Sequence, residues 1–111
     1  MSDLPEEVLQ AAAQITRLGG VPVVVSTTDP DLPFVVFARP NLGELSQYVA
    51  KASDASVGPL LAAVGLARQT AKFPLQSIPA IESARPFVIM RAVQAMLADL
   101  GLSAKAQKKS L

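Results

Sequence analysis

Two carboxylates lie close together in this sequence, in the segment Asp29-Pro-Asp31. Carboxylate oxygens could bind a hard cation, but calcium takes roughly six to eight oxygen ligands. Prolines at positions 30 and 33 are typical of a turn, where aspartate is also common. We therefore expect a solvated turn here rather than a metal site.

The rest of the chain offers little for catalysis. Its 111 residues include no histidine, cysteine or tryptophan. The usual general base near neutral pH, the thiol nucleophile and the softer metal ligands are therefore missing. Neither phosphate-binding glycine pattern, GxxxxGK[ST] or GxGxxG, occurs. The sequence predicts no catalytic residue, no cofactor and no metal, and we expect a protein that is not an enzyme.

Charge is distributed unevenly along the chain. Residues 1–56 carry seven acidic and three basic side chains, whereas residues 57–111 carry two acidic and seven basic ones. This polarity could steer head-to-tail association or present a basic half to an acidic partner. Alternatively, the two halves neutralise each other inside one fold.

The C-terminal end is basic, with Lys105, Lys108 and Lys109. A few lysines without neighbouring aromatic residues would make only weak, salt-sensitive contacts with nucleic acid, so no nucleic-acid partner is expected. We predict a single domain over residues 1–102 and a flexible basic tail over residues 103–111. Because the first residues are acidic and no apolar run reaches roughly 18 residues, we expect a cytoplasmic protein without a membrane segment.

Apolar residues make up 50% of the chain and charged residues only 17%. Monomers rarely expose large apolar patches, so this surplus favours oligomerisation or a hydrophobic groove for a partner. A well-packed, alanine-rich helical core would also account for it.

The periodicity of apolar residues predicts an α+β fold that is mostly helical. An N-terminal helix over residues 4–18, with a capping box from Asp3 to Glu6, precedes one β-hairpin with strands at 21–28 and 34–38. Three helical segments follow. The first is a helix capped by Asn41, with Glu44 completing its capping box. The second starts at Asp54 or Ser56 and ends at Phe73-Pro74. The third runs from Arg85-Pro86 to Gly101, and a turn or one short helical turn at 75–83 precedes it.

Both hairpin strands are continuous apolar runs, which indicates that helices or another subunit cover both faces. A two-stranded hairpin alone is marginal in water, and the sequence predicts no further strand. We therefore expect strands to pair between subunits. The residues predicted for self-association are Val23, Val25, Val35 and Phe37.

Apolar residues also recur at helical spacing on the third and last helices. They could line a groove for an apolar helical partner, or they could pack the core of the protein itself. The residues predicted for partner binding are Leu60, Leu61, Val64, Ile89, Val93 and Met96.

Several features occur together in a recognisable order. The run Phe34-Val-Val-Phe-Ala-Arg-Pro40 leads directly into a capped helix, and the next helix ends at Phe73-Pro74. The final helix opens with Arg85-Pro86-Phe87 and ends in Leu100-Gly101. In these features the chain resembles, over residues 20–102, the tail assembly chaperones of long-tailed bacteriophages.

The resemblance implies a small, mostly helical α+β protein without catalytic activity. Members of that family oligomerise and coat the tape measure protein, keeping it soluble until tail tube subunits polymerise around it. Tape measure protein and tail tube subunits are therefore the partners it implies, in the cytoplasm of the host bacterium. The alternative from the residues themselves is a small monomeric adaptor or inhibitor that binds a host regulatory protein through its basic C-terminal half.

Overall fold

A computed structural model describes residues 4–27 and 29–100 and confirms the predicted α+β, mostly helical fold. A small antiparallel sheet lies between one helix on one face and a group of helices on the other. The elements, in chain order, are α1 (Glu6–Arg17), β1 (Pro22–Ser26), β2 (Phe34–Ala38), α2 (Leu42–Ser53), α3 (Gly58–Thr70), β3 (Ala71–Phe73), α4 (Ile78–Ala84) and α5 (Pro86–Asp99).

The first helix ends in a glycine motif that turns the chain into the sheet. Gly19 has φ of 89°, a conformation that glycine adopts without a steric penalty. The N–H of Gly19 donates to the carbonyl of Thr16, and that of Gly20 donates to the carbonyl of Ile15. These two bonds define a Schellman motif. The predicted capping box at the other end includes Asp3, which lies outside the described residues.

The predicted hairpin is confirmed, but the prediction that the chain has no further strand is wrong. β1 and β2 pair antiparallel, with Val23 opposite Phe37 and Val25 opposite Val35. β3 then pairs antiparallel with β2, so that the sheet order is β1-β2-β3. The sequence predicted helix through these residues because Ala-Lys-Phe carries no strand signal, and pairing with β2 decides its conformation.

A bulge in β3 lets this short strand serve both faces of the sheet. Val36 lies opposite Phe73 and Phe37 opposite Ala71, so Lys72 is an extra residue on β3. Ala71 consequently packs with the α3 and α5 side, whereas Phe73 packs with the α1 side.

Helices cover both faces of the sheet, as one of the two sequence alternatives predicted. Val8 and Ile15 of α1 pack on Val36 at one face. The other face, with Phe37 at its centre, meets α3 and α5. The central strand β2 is therefore enclosed from both sides, and Val36 and Phe37 are each 0% exposed.

Most residues predicted to bind partners or join subunits lie inside this core. Val64, Ile89, Val93 and Met96 are between 0 and 5% exposed, because α3 and α5 turn these side chains toward the sheet. The alternative reading, core packing, describes them in this structure, and they line no open groove. The side chains predicted for self-association are likewise buried, namely Val23, Val25, Val35 and Phe37.

The remaining helices follow the sequence closely. The Asn41 side chain accepts a bond of 2.8 Å from the N–H of Glu44, whose carboxylate accepts one of 2.9 Å from the N–H of Asn41, so this capping box is confirmed. The segment predicted as a turn or one helical turn contains α4. Gly101 and the predicted tail lie outside the described residues. No helix among those described is long and apolar enough to cross a membrane.

Replacing Met96 by alanine tests the core assignment. Because this side chain is 0% exposed, we expect Met96→Ala to lower the free energy of unfolding by about 2–5 kcal/mol. Leu61 is 60% exposed, and Leu61→Ala is expected to change it by less than about 0.5 kcal/mol. Urea unfolding followed by circular dichroism measures both, and equal effects of the two variants would contradict the assignment.

Candidate interaction surfaces

The loop between the hairpin strands is held by a cation from the far end of the chain. Arg85, at the start of α5, places its Nε 2.9 Å from Oδ2 of Asp29 and its Nη2 3.0 Å from Oδ2 of Asp31. The side chain of Asp29 is only 10% exposed, whereas that of Asp31 is 69% exposed. The expected solvated turn is thus half correct, because Asp29 is buried against Arg85. Within residues 4–27 and 29–100, no group of three or more acidic, histidine or cysteine residues could hold a metal ion.

The same loop is also anchored from below. Leu32 is 0% exposed and packs in the core beneath the sheet. The Thr27 hydroxyl donates to the carbonyl of Leu32, and the N–H of Asp31 donates to the Asp29 carboxylate at 2.8 Å. Sequence reasoning missed this anchor, although the signal was present as one aliphatic residue in an otherwise polar, proline-containing segment.

Ion pairs between the acidic and basic halves of the chain neutralise part of the uneven charge seen in the sequence. Arg85 belongs to the basic half and Asp29 and Asp31 to the acidic half, so these charges neutralise each other within the fold. In the second half, Arg68 forms a two-pronged contact with Glu82. The hydrogen bonds that the Arg68 guanidinium donates to this carboxylate, together with the negative charge of Glu82, raise the pKa of the guanidinium.

The second helix, α2, is the most superficial helix of the fold. None of its residues is buried, and it packs on α3 through the partly buried side chains of Leu45 and Tyr48. Leu42 is 80% exposed and Val49 is 57% exposed. Because they are seven residues apart, these two side chains lie on the same side of the helix, which we call the apolar flank of α2.

The opposite flank of α2 faces a shallow cleft shared with α3. Glu44, Gln47 and Lys51 line it from α2, and Gly65 and Gln69 line it from α3. Its volume of about 10 Å³ leaves no room for a small-molecule ligand. Tyr48 also borders this cleft, and burial raises the pKa of its hydroxyl.

Two of the six predicted partner-binding residues remain near the surface. Leu61 is 60% exposed, and it shares a side of α3 with Gly65, four residues further on. It is not among the residues that line the cleft, and it belongs to α3 rather than to the apolar flank of α2. Leu60 is partly buried against the core.

A larger depression lies where β1 meets α5. Its volume is about 170 Å³, below the roughly 300 Å³ at which small-molecule pockets begin. The lining residues are Ser26, Thr27, Asp29, Val88, Arg91 and Ala92. We call this depression the β1–α5 cleft.

The chain matches no model of a protein family, no curated protein and no solved structure. The resemblance to tail assembly chaperones therefore stays a prediction from the sequence, and the surfaces above are argued from their own geometry.

Replacing Arg85 tests the loop anchor. Arg85→Met keeps the aliphatic part of the side chain but leaves the buried Asp29 carboxylate without its cation. We expect the free energy of unfolding to fall by about 1.5–3 kcal/mol, the typical contribution of a hydrogen bond to a charged group, because Asp29 keeps the N–H of Asp31 as a donor but loses its cation.

The matched control is Arg17→Met, which removes an exposed guanidinium that donates to the exposed side chain of Gln14. Substitutions at exposed surface contacts change stability little, so its effect in the same urea titration should be clearly smaller. If both substitutions changed stability equally, burial of Asp29 would not be what makes the Arg85 contact important.

Proposed function

We propose that this chain is a non-catalytic tail assembly chaperone of the kind made by long-tailed bacteriophages. In the host bacterial cytoplasm it oligomerises and coats the tape measure protein, which stays soluble until tail tube subunits polymerise. The proposal combines the sequence resemblance with one structural observation, the apolar flank of α2.

The chemistry of this flank supports an apolar helical partner. Ser46 lies between Leu42 and Val49 on the same side of the helix, and Ser53 continues the row. These four residues are exposed and uncharged, whereas Glu44 and Lys51 lie on the cleft side. A partner helix with an apolar stripe can therefore pack along the flank without burying a charge of α2.

This surface differs from the groove predicted from the sequence. Val64, Ile89, Val93 and Met96 pack the core, so a partner cannot reach them in this conformation. Among the six residues predicted for binding, Leu61 is well exposed, but it belongs to α3 and not to the apolar flank of α2. We therefore assign partner binding to Leu42 and Val49.

Ion pairing within the fold gives less support to the alternative function, an adaptor that binds its partner through the basic C-terminal half. Residues 57–100 contain four basic side chains, Arg68, Lys72, Arg85 and Arg91, and two of them are in ion pairs. A salt-sensitive contact with an acidic partner needs free cations concentrated on one surface. Binding through the apolar flank of α2 requires no free cations, and its residues Leu42 and Val49 are exposed in this structure.

The test is whether the chain keeps a tape measure protein soluble. With the chain co-expressed alongside an aggregation-prone tape measure protein, Leu42→Asp/Val49→Asp should return most of that protein to the pellet, because two buried carboxylates would oppose packing of an apolar helix. The measurement is the soluble fraction of the tape measure protein and its co-purification with the chain.

Leu75→Asp is the matched control, since Leu75 is 67% exposed outside α2. It should behave like the unmodified chain, and circular dichroism should show that all variants fold. Leu61→Asp examines an exposed apolar residue of α3 in the same assay. Full solubilisation by the double variant would contradict the α2 assignment, and failure of the unmodified chain to solubilise the protein would contradict the proposed function.

A further inference from the structure

The two edges of the sheet differ in how they are protected against pairing with another chain. β3 is three residues long, carries the Lys72 bulge and is followed by Pro74, all features that discourage strand addition. β1 has five residues, and the stretch from Leu18 to Thr27 contains no charged side chain. The edge formed by β1 therefore lacks charges and bulges, and Pro22 is its single obstacle.

The register shows which backbone groups of β1 are free. Arg39 N–H donates to the Val21 carbonyl at 2.8 Å, and Thr27 N–H donates to the Pro33 carbonyl at 2.9 Å. Hydrogen-bonded pairs alternate along antiparallel strands, so residues 21, 23, 25 and 27 direct their backbone groups toward β2. Pro22, Val24 and Ser26 direct theirs to the open edge, where no other described residue bonds to them.

We propose that β1 is a self-association strand: two copies of this chain pair antiparallel through their β1 edges, about a two-fold axis at Val24. The result is one continuous sheet in the order β3-β2-β1-β1-β2-β3. The inference rests on the backbone and surface of β1 and does not depend on the proposed function.

This register is self-complementary in its hydrogen bonds. At the axis, Val24 of each copy donates to and accepts from Val24 of the other. Next to it, Ser26 N–H of each copy donates to the Pro22 carbonyl of the other. Every outward N–H of the two strands then has an acceptor, and the N–H that proline lacks falls at the position facing the Ser26 carbonyl.

The same register gives an exposed apolar side chain a place to pack. Val21 is 52% exposed, and strand alternation puts it on the sheet face that meets α5. In the paired arrangement Val21 lies opposite Thr27 of the second copy. Thr27 borders the β1–α5 cleft together with Val88 and Ala92, so each Val21 is positioned at the mouth of the other copy's cleft.

Charge also favours a second copy as the occupant of this edge. Pairing brings the uncharged stretch from Leu18 to Thr27 against itself, so no like charges are opposed along the strands. A dimer formed in this way should depend little on salt, unlike head-to-tail association between the acidic and basic halves.

Ser26 and Pro22 allow tests in opposite directions. Ser26→Pro removes the outward N–H without touching a bond to β2 and should weaken the dimer about tenfold or more, since two hydrogen bonds are lost per dimer. Ser26→Ala is the matched control, because it removes the hydroxyl but keeps the N–H. Pro22→Ala adds an outward donor to each copy and should tighten the dimer about tenfold.

The dimer dissociation constant is measured by sedimentation equilibrium on the full chain, with circular dichroism to show that each variant folds. The proposal requires a reversible dimer. The Ser26→Pro variant must dimerise more weakly than Ser26→Ala, and the Pro22→Ala variant must dimerise more tightly than the unmodified chain. A strict monomer at every concentration overturns the proposal. So does a dimer that dissociates when salt is added and whose dissociation constant is changed equally by Ser26→Pro and Ser26→Ala. A dimer that fails to keep a tape measure protein soluble would overturn the proposed function alone.

Discussion

The enclosure of β2 is the constraint on which the rest of this structure depends. A strand buried on both faces needs apolar residues at consecutive positions and a helix layer on each side. Val35, Val36 and Phe37 meet the first requirement, and α1 on one face with α3 and α5 on the other meets the second. Burying these side chains stabilises the fold by about 1.5–3 kcal/mol each before the cost of ordering them is subtracted. The candidate interaction surfaces consist of the residues that this packing around β2 does not bury.

The helices share this task unequally, which separates the core from the candidate binding surface. α5 contributes Ile89, Val93 and Met96 to the interior and keeps little apolar surface of its own, apart from Phe87. α2 contributes no fully buried residue and reaches the core only through partly buried side chains. A peripheral helix of this kind can change its outward residues with little effect on folding. The interior helices have no such freedom.

Local signals in the sequence predicted most of the fold. The Asn41 capping box, the glycines after α1 and the two runs of β-branched residues each act within a few residues, so their outcomes can be recognised without tertiary information. β3 could not be recognised in this way, because three residues that continue from a helix become a strand only when β2 is beside them. The Arg85 contact with Asp29 spans 56 residues and has no local signature.

The candidate surfaces were less predictable than the fold for a related reason. An apolar stripe on a helix looks the same in sequence whether it faces the core or a partner, and only the packing of α3 and α5 distinguishes the two. The sequence predicted that strands join subunits, and it named the side chains of Val23 and Val25, which point inward. The groups open to pairing belong to the alternate residues and to the backbone, which a list of apolar side chains does not reveal.

The position of α5 at the end of the described chain has a consequence for synthesis on the ribosome. β1 and β2 emerge long before α5, and the layer that covers one of their faces is complete only after Ile89, Val93 and Met96 have left the exit tunnel. Arg85 also arrives late to fix the loop that joins these strands. One apolar face of the nascent hairpin is therefore exposed while much of the chain is being translated, and exposed hydrophobic surface makes such species prone to aggregation. Completion of α5 is the step that covers this face.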